Sequence, residues 1–240
     1  MSSISIIIPV LNEAASIKKL LQHVLDNSSN NIIQELIIVD GGSTDLSRDI
    51  VTTFFQQKSI KTRGLRCHLI CSSKGRSKQM NAGANAAKGD VLYFLHADSF
   101  PPSNFDKHIV EEIKKGNLAG CFRLQFKHSH WWLKLASWFT QFNFSVCRGG
   151  DQSQFIAKHL FKDIGGFDEN YIIYEDNILI SELYKRKQFK VINKKLITSA
   201  RRYESKGIWK LQYHFWMIYF KKWRGASAVE LHEYYKKYIH

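Results

Sequence analysis

This sequence of 240 residues lacks long apolar segments and has few cysteines, and both shortages exclude classes of protein. No stretch reaches the roughly 18 uncharged apolar residues that a membrane-spanning helix needs. The four cysteines, at positions 67, 71, 121 and 147, form no Cys-x-x-Cys pair, so we expect reduced thiols rather than a disulfide framework. The chain begins with an apolar run and has no basic leader segment, so we expect no signal peptide. These features predict a cytoplasmic protein.

Acidic residues are also few, since 21 Asp and Glu stand against 35 Lys and Arg and give a formal net charge of +14. This excess favours an anionic partner, which could be a phosphate, a nucleic acid or an acidic membrane surface. The chain has no zinc-finger spacing, and its basic residues concentrate in the C-terminal third, so we expect no specific nucleic-acid partner. The hydrophobic content of 44% is enough for a full core.

Short apolar runs alternate with helical patterns in the N-terminal part of the chain. Runs at residues 4–10, 36–39, 67–71 and 91–95 predict buried strands. Helical spacing predicts helices at residues 17–25 and 78–87. A third helix is predicted between them, with an N-cap at Ser43 or Asp45 and its end at Phe55. This alternation predicts an α/β fold with a doubly wound, mostly parallel sheet and helices on both faces.

Polar side chains follow three of the predicted strands. Asn12 and Glu13 follow the first strand, Asp40 ends the second, and Asp98 comes after the run at residues 91–95. Each of them alone is compatible with a plain turn. Ligands of doubly wound sheets bind beyond the carboxyl ends of the strands, so the convergence of these residues indicates a ligand site.

Asp98 is a candidate metal ligand. Mg²⁺ and Mn²⁺ often take only one or two protein carboxylates and complete their shell with phosphate oxygens and waters. His96 lies two residues earlier and faces the same side of an extended chain, where it is either a second ligand or a neighbour of the ligand. A helix cap ahead of Pro101 is the alternative role for Asp98.

Further charged residues allow two interpretations each. Glu175 and Asp176 come before a predicted helix at residues 177–187. They either provide a general base over a cleft or complement the dipole at the start of this helix. Lys74, Arg76 and Lys78 flank a glycine in a loop, where they either bind phosphate or form a solvated basic face. Arg201 and Arg202, in the basic C-terminal third of the chain, are candidates for a second anion-binding site.

Together these pieces resemble glycosyltransferase family 2, the inverting group with the GT-A fold. The motifs, over roughly residues 4–200, are 5–13 (SIIIPVLNE), 38–45 (IVDGGSTD), 81–92, 96–98 (HAD, where the family usually has Asp-x-Asp) and 174–176 (YED). Residues 149–152 (GGDQ) and 201–203 (RRY) are closest to a small soluble bacterial branch that is described as radical-SAM or selenodomain associated.

The resemblance implies a transfer of sugar from a nucleoside-diphosphate sugar, with a UDP-sugar favoured and GDP next, to an acceptor hydroxyl. It implies that Asp176, beside Glu175, is the general base, and that Asp98 with His96 holds Mn²⁺ or Mg²⁺. The implied acceptor residues are Asp151, Gln152 and Trp131. The implied donor-binding residues are Pro9, Asn12, Glu13, Asp40, Gly42, Lys74, Arg76, Lys78, Asn81, Ala97, Arg201 and Arg202.

Two departures from the family pattern refine this expectation. His96 replaces the usual first carboxylate, which predicts weaker metal binding or a different metal preference. The Gln-x-x-Arg-Trp motif of processive synthases is absent, which favours a single transfer. The alternatives are a nucleotidyltransferase, although residues 9–13 lack its glycine-rich loop, and a non-catalytic nucleotide-sugar-binding protein. A dinucleotide oxidoreductase and a P-loop kinase are excluded because both glycine motifs are missing.

Two parts are predicted, a catalytic domain at residues 1–205 and a helical tail at residues 206–240. The catalytic domain is divided into a nucleotide-binding half at residues 1–98 and an acceptor half at residues 99–205. An aromatic helix is predicted over residues 131–146, either as core or as an acceptor groove. Another is predicted over residues 208–223.

Residues 185–224 contain 13 basic residues and one acidic residue, Glu204, which suits peripheral contact with an anionic membrane and a lipid-linked acceptor. A homodimer contact through the same helix is the alternative.

Overall fold

The computed structural model describes residues 2–29, 31–149 and 152–239, without the side chains of Ser59 and Lys61. Within these ranges one eight-stranded sheet forms the centre of the molecule. Its strands are β1 (Ile4–Val10), β2 (Ile33–Asp40), β3 (Arg66–Cys71), β4 (Val91–Phe94), β5 (Ser99–Phe100), β6 (Ala119–Phe126), β7 (Gln154–Ala157) and β8 (Phe189–Thr198). They lie in the order β3-β2-β1-β4-β7-β6-β8-β5.

The N-terminal half of the sheet is parallel, as the alternating pattern predicted. β1 pairs in parallel with β2 and β4, and β2 pairs in parallel with β3. β7 then runs antiparallel between β4 and β6, while β6 and β8 are parallel and β5 is antiparallel to β8. The carboxyl ends of β1, β2 and β4 therefore lie at one edge of the sheet.

The helices are α1 (Ile17–Asn27), α2 (Ser47–Phe55), α3 (Lys58–Thr62), α4 (Arg76–Ala86), α5 (Phe105–Lys114), α6 (Trp131–Phe139), α7 (Lys158–Ile164), α8 (Glu175–Lys185), α9 (Arg201–Lys206), α10 (Ile208–Trp223) and α11 (Ala228–Tyr238). Residues Ser145–Cys147 form a short 3₁₀ helix. None of the helices in the described ranges is long and apolar enough to cross a membrane.

The sheet is buried on both faces because successive side chains of a strand point in opposite directions. In β1, Ile6 and Ile8 pack with α1, α2 and α5, whereas Ile7 packs on the other face with α4, α7 and α8. This confirms the prediction of helices on both faces of a doubly wound sheet.

Several helix ends differ from the sequence prediction. α2 begins at Ser47 rather than at a cap on Ser43 or Asp45, although the Asp45 carboxylate accepts the amide hydrogen of Ser47 at 2.9 Å. α8 already includes Glu175 and Asp176. α6 ends at Phe139 rather than at residue 146. Helix ends are set by local hydrogen bonds that periodicity does not encode.

The C-terminal helices share a third apolar cluster. Leu211 and Ile218 of α10 and Leu231 of α11 are buried together with Leu133 of α6 and Tyr203 of α9. α10 has the bounds that its sequence predicted. The division into domains at residues 205 and 206 stays a prediction.

Candidate active site

The loop after β2 is organised by two side chains at the strand ends. The buried Asp40 carboxylate accepts backbone hydrogens from Gly42 at 3.1 Å and from Ser43. Asn12 has a left-handed backbone (φ 57°), which Asn tolerates better than most residues, and its side-chain oxygen accepts from the amide of Thr44 at 2.8 Å. The loop at residues 41–44 is thereby fixed beside the end of β1.

Gln79 of α4 joins the ends of β1 and β2, a role that no sequence pattern predicted. Its amide nitrogen donates to the carbonyl oxygens of Val10 at 2.8 Å and Val39 at 2.7 Å. A Cβ at Gly41 would lie 2.9 Å from the Gln79 carboxamide, so a larger residue there would displace this hydrogen-bonded side chain. A single Gln in a helical segment carries no pattern that could have identified it.

Arg201 brings together two residues that follow different strands. Its guanidinium donates to both carboxylate oxygens of Glu13, one of them at 3.0 Å, and lies 3.7 Å from a carboxylate oxygen of Asp98. The hydrogen bonds to Glu13 raise the pKa of Arg201. Glu13, Asp98 and Arg201 therefore form one charged group at the carboxyl edge of the sheet.

Arg76 at the start of α4 contacts the two acidic residues of the predicted catalytic pair. Its guanidinium pairs with Glu175 and lies 3.1 Å from a carboxylate oxygen of Asp176. Both carboxylates are buried. Burial raises the pKa of Glu175, and the charge of Arg76 opposes that rise. Arg76 thus contacts both acidic residues, and its role in donor binding stays a prediction.

Replacing Arg76 with Gln is expected to destabilise the protein more strongly as the pH rises. Without the guanidinium, the pKa of Glu175 rises further above its ordinary value of 4.5, so the folded state holds this proton more tightly than the unfolded state. The stability from that proton is present below the unfolded-state pKa and is lost as the pH rises toward the folded-state pKa. Urea denaturation should show a larger loss of unfolding free energy at about pH 8 than at about pH 5.

The double variant Arg76→Gln/Glu175→Gln is the control for this pH dependence. It replaces the titrating carboxyl with an amide of the same shape, so most of the pH dependence should disappear. An Arg76→Gln variant whose loss of stability is the same at both pH values would show that Arg76 does not oppose the rise in the pKa of Glu175.

A small cavity lies next to this acidic pair. His96, Gln152 and Asp176 line it together with the apolar side chains of Phe94 and Ile180. Residues that are far apart in the chain thus meet at the end of β4. Asn12, Asp40 and Asp98 are not among the residues that line this cavity, so their convergence on one ligand site stays a prediction. Polar side chains that converge on one cavity are typical of ligand sites.

The remaining predicted site residues lie in varied surroundings. Pro9 pairs in register with Val39 inside the sheet, Ala97 is buried, and Gly42 is exposed with φ 94°. Lys74, Lys78 and Arg202 are exposed. The Asn81 side chain exchanges two hydrogen bonds of 2.9 Å with the backbone of Phe167. Trp131 is exposed and contacts Trp209. Asp151 lies outside the described residues.

The described residues hold no group of three or more His, Cys, Asp or Glu side chains that could bind a metal ion. Any metal at Asp98 would therefore take most of its ligands from a substrate and from water. The fold and this site define an α/β protein with a largely parallel sheet and a buried acidic pair beside a cavity at its carboxyl edge, the place where such sheets generally bind ligands.

The family follows from comparison with known proteins. The sequence model "Glycosyl transferase family 2" matches residues 5–168, which is more than half of the chain, so this chain belongs to glycosyltransferase family 2. It is 33% identical over 138 residues to the undecaprenyl-phosphate 4-deoxy-4-formamido-L-arabinose transferase of Aeromonas hydrophila, which covers 56% of this chain and 40% of that relative. The chain spans less than half the length of the first curated relatives it matches.

Solved structures share the fold at low sequence identity. TarS of S. aureus in complex with UDP has a TM-score of 0.66 at 16% identity, over 82% of this chain and 60% of TarS. The mannosyltransferase PcManGT from Pyrobaculum calidifontis, in complex with GDP-Man and Mn²⁺, has a TM-score of 0.68 at 16% identity, over 98% of this chain and 69% of that one. The expected GT-A fold is confirmed.

Proposed function

We propose that this chain transfers a sugar from a nucleoside-diphosphate sugar to an acceptor hydroxyl, with inversion at the sugar carbon. The observation that carries the proposal is the cavity at the carboxyl edge of the sheet, where Asp176 and His96 meet. Membership of glycosyltransferase family 2 supports it. The complexes of TarS with UDP and of PcManGT with GDP-Man support a nucleotide-sugar donor.

Asp176 is the general base of the proposed reaction. The acceptor oxygen attacks the sugar carbon while its proton passes to the Asp176 carboxylate, and the bond from that carbon to the diphosphate oxygen breaks. The nucleoside diphosphate leaves from the opposite face, which gives inversion. Arg76 orients the carboxylate from 3.1 Å. Gln152, on the same cavity, and Asp151, beside it in sequence, are the proposed acceptor contacts.

Asp98 is the proposed ligand of Mn²⁺ or Mg²⁺. Its side chain is 27% exposed, so one carboxylate oxygen can face a solvated ion. A single hard oxygen ligand fits either ion when diphosphate and water complete the shell, and His96 is the expected second ligand. When bound, the metal would offset negative charge on the leaving diphosphate. The Mn²⁺ in the PcManGT complex supports this assignment.

Donor binding should raise the melting temperature of the protein. The part of this rise that depends on a metal ion should require Asp98. A ligand at 100 times its dissociation constant stabilises a protein by about 2.7 kcal/mol, which corresponds to about 5–10 °C for a chain of this size. We expect UDP or GDP with Mn²⁺ to give such a shift in a thermal-shift assay. In Asp98→Asn the additional shift that Mn²⁺ causes should be lost.

Asp26→Asn is the matched control, because Asp26 is an exposed residue of α1 that bonds with Gln22. Its shift with nucleotide and Mn²⁺ should equal that of the wild type. If Asp98→Asn also keeps the full Mn²⁺-dependent shift, Asp98 does not hold the metal. If no nucleoside diphosphate shifts the wild type, the proposed donor class is wrong.

The proposed acceptor is a lipid-linked group. Support comes from the Aeromonas hydrophila relative, whose name states transfer to undecaprenyl phosphate, and a transferase of the same name from Edwardsiella ictaluri is 29% identical over 136 residues. Transfer of labelled sugar to a polyisoprenyl phosphate in detergent tests this acceptor. Transfer to soluble sugars alone would contradict it.

A further inference from the structure

Helix α10 exposes a stripe of aromatic side chains along its full length. The members recur at intervals of four and three residues, which places them on one face of a helix. Trp223 is 81% exposed and Trp216 is 50% exposed. The stripe, here called the α10 stripe, consists of Trp209, Tyr213, Trp216, Phe220 and Trp223.

The α10 stripe is not needed for the core of the protein. Leu211 and Ile218, on the other side of the helix, are buried in the cluster that holds α10 against α6 and α11. α10 therefore has two apolar faces. The face with Leu211 and Ile218 is buried, and the face with the α10 stripe is exposed. Exposed apolar surface of this extent indicates an interaction site rather than a chance exposure.

The aromatic surface continues onto α6. The ring of Trp209 lies 5.7 Å from that of Trp131, which is itself 60% exposed. Trp132 lies between the two helices, 5.4 Å from Trp209 and 5.7 Å from Trp216. The surface is therefore broader than a single helix face.

Basic residues border the α10 stripe. Lys210 and Arg224 are exposed near the two ends of α10. Lys221 and Lys222 of the last turn contact Tyr234 and Tyr171 instead. Residues 185–224 contain 13 basic residues and only Glu204 as an acidic one. Trp and Tyr beside Lys and Arg are characteristic of helices that lie in the headgroup region of an anionic bilayer.

We infer that the α10 stripe docks this protein onto the surface of an anionic lipid bilayer, with α10 parallel to the membrane plane. The charge complementarity favours lipid over an apolar protein groove, because the basic border would face phosphate headgroups while the aromatic rings enter the interface. The inference concerns a binding surface and does not depend on the identity of the acceptor.

Docking on α10 would place the cavity close to the lipid. The Tyr219 hydroxyl of α10 donates to the side-chain oxygen of Asn177 at 3.2 Å, and Asn177 follows Asp176. The carbonyl oxygen of Arg148, in the loop that exposes Phe144 and Val146, lies 3.3 Å from the same hydroxyl and is an alternative acceptor for its single hydrogen. The site is thereby linked directly to the proposed membrane-facing helix.

Vesicle flotation without nucleotide tests the surface directly. We expect the full chain to bind vesicles of phosphatidylcholine with about 30% phosphatidylglycerol, and to bind pure phosphatidylcholine at least about tenfold more weakly. Raising the salt from about 0.1 M to about 1 M should release most of the protein, since the Debye length falls from about 10 Å to about 3 Å.

Two sets of variants separate the aromatic and the basic contributions. Trp216→Ser/Phe220→Ser/Trp223→Ser should lower binding at least about tenfold, since each ring removes apolar area from the interface. Leu46→Ser, at an exposed apolar residue before α2, is its control and should bind like the wild type. Lys210→Gln/Arg224→Gln should weaken binding more than Lys107→Gln/Lys114→Gln, which removes the same charge from exposed positions of α5.

The outcomes are decisive in both directions. If the triple variant is folded by circular dichroism and binds vesicles as well as the wild type, the inference is wrong. It is also wrong if the wild type ignores anionic vesicles and instead forms a dimer that the triple variant disrupts in analytical ultracentrifugation. Asp176→Asn should bind vesicles normally, so a failure of the proposed reaction would leave this result unaffected.

Discussion

Asp176→Asn is expected to lower kcat by about 10²–10⁴-fold, the usual contribution of a general base. The amide has nearly the volume of the carboxylate but accepts no proton from the acceptor hydroxyl. Because Asp176 acts on the acceptor, donor binding should stay close to that of the wild type. Release of nucleoside diphosphate measures turnover, and the thermal shift with donor and Mn²⁺ measures binding.

Asp163→Asn is the matched control, since Asp163 is an exposed acidic residue of α7 that pairs with Arg186. It should turn over like the wild type. Full turnover in Asp176→Asn would remove Asp176 as the base. A wild type that binds the donor and releases no product with any acceptor would instead indicate a non-catalytic nucleotide-sugar-binding protein.

Arg148→Met should destabilise the protein by about 2–4 kcal/mol, because it leaves buried acceptors without a donor. The Arg148 side chain is 2% exposed. Its guanidinium donates to the carbonyl oxygens of Thr140 at 2.6 Å and Phe142 at 2.5 Å, and to the side-chain oxygen of Gln152 at 2.9 Å. Methionine fills part of the volume but donates no hydrogen bond. The melting temperature should fall by about 5–15 °C in calorimetry.

Arg48→Met tests whether the effect belongs to the buried position, because Arg48 is exposed on α2. Its melting temperature should change by no more than about 2 °C, since surface substitutions usually stay within about 0.5 kcal/mol. If Arg148→Met has the same melting temperature as the wild type, other hydrogen-bond donors or water satisfy these carbonyl oxygens. Arg148 had no role in the sequence interpretation because nothing in its surroundings predicts burial.

The sequence by itself determined the four strands of the parallel N-terminal half and the edge of the sheet at which they end. β1 and α10 have the bounds that periodicity predicted, because a run of buried β-branched residues and a long helical pattern leave few alternatives. The polar residues at the ends of β1 and β2 had to share an edge once the strands were parallel. The ordered motifs also identified the family, which the comparison confirmed.

Only the tertiary structure decided which charges meet. Arg76 pairs with the acidic residues at the start of α8, and Arg201 pairs with Glu13. Phosphate binding by either arginine stays a prediction. Gln79 and Arg148 complete buried hydrogen bonds that no local pattern encodes. Such contacts join residues far apart in the chain, and burial fixes their partners because an unpaired charge or carbonyl away from water is costly. Periodicity records which face of an element is apolar, but it does not record which side chain from another element arrives there.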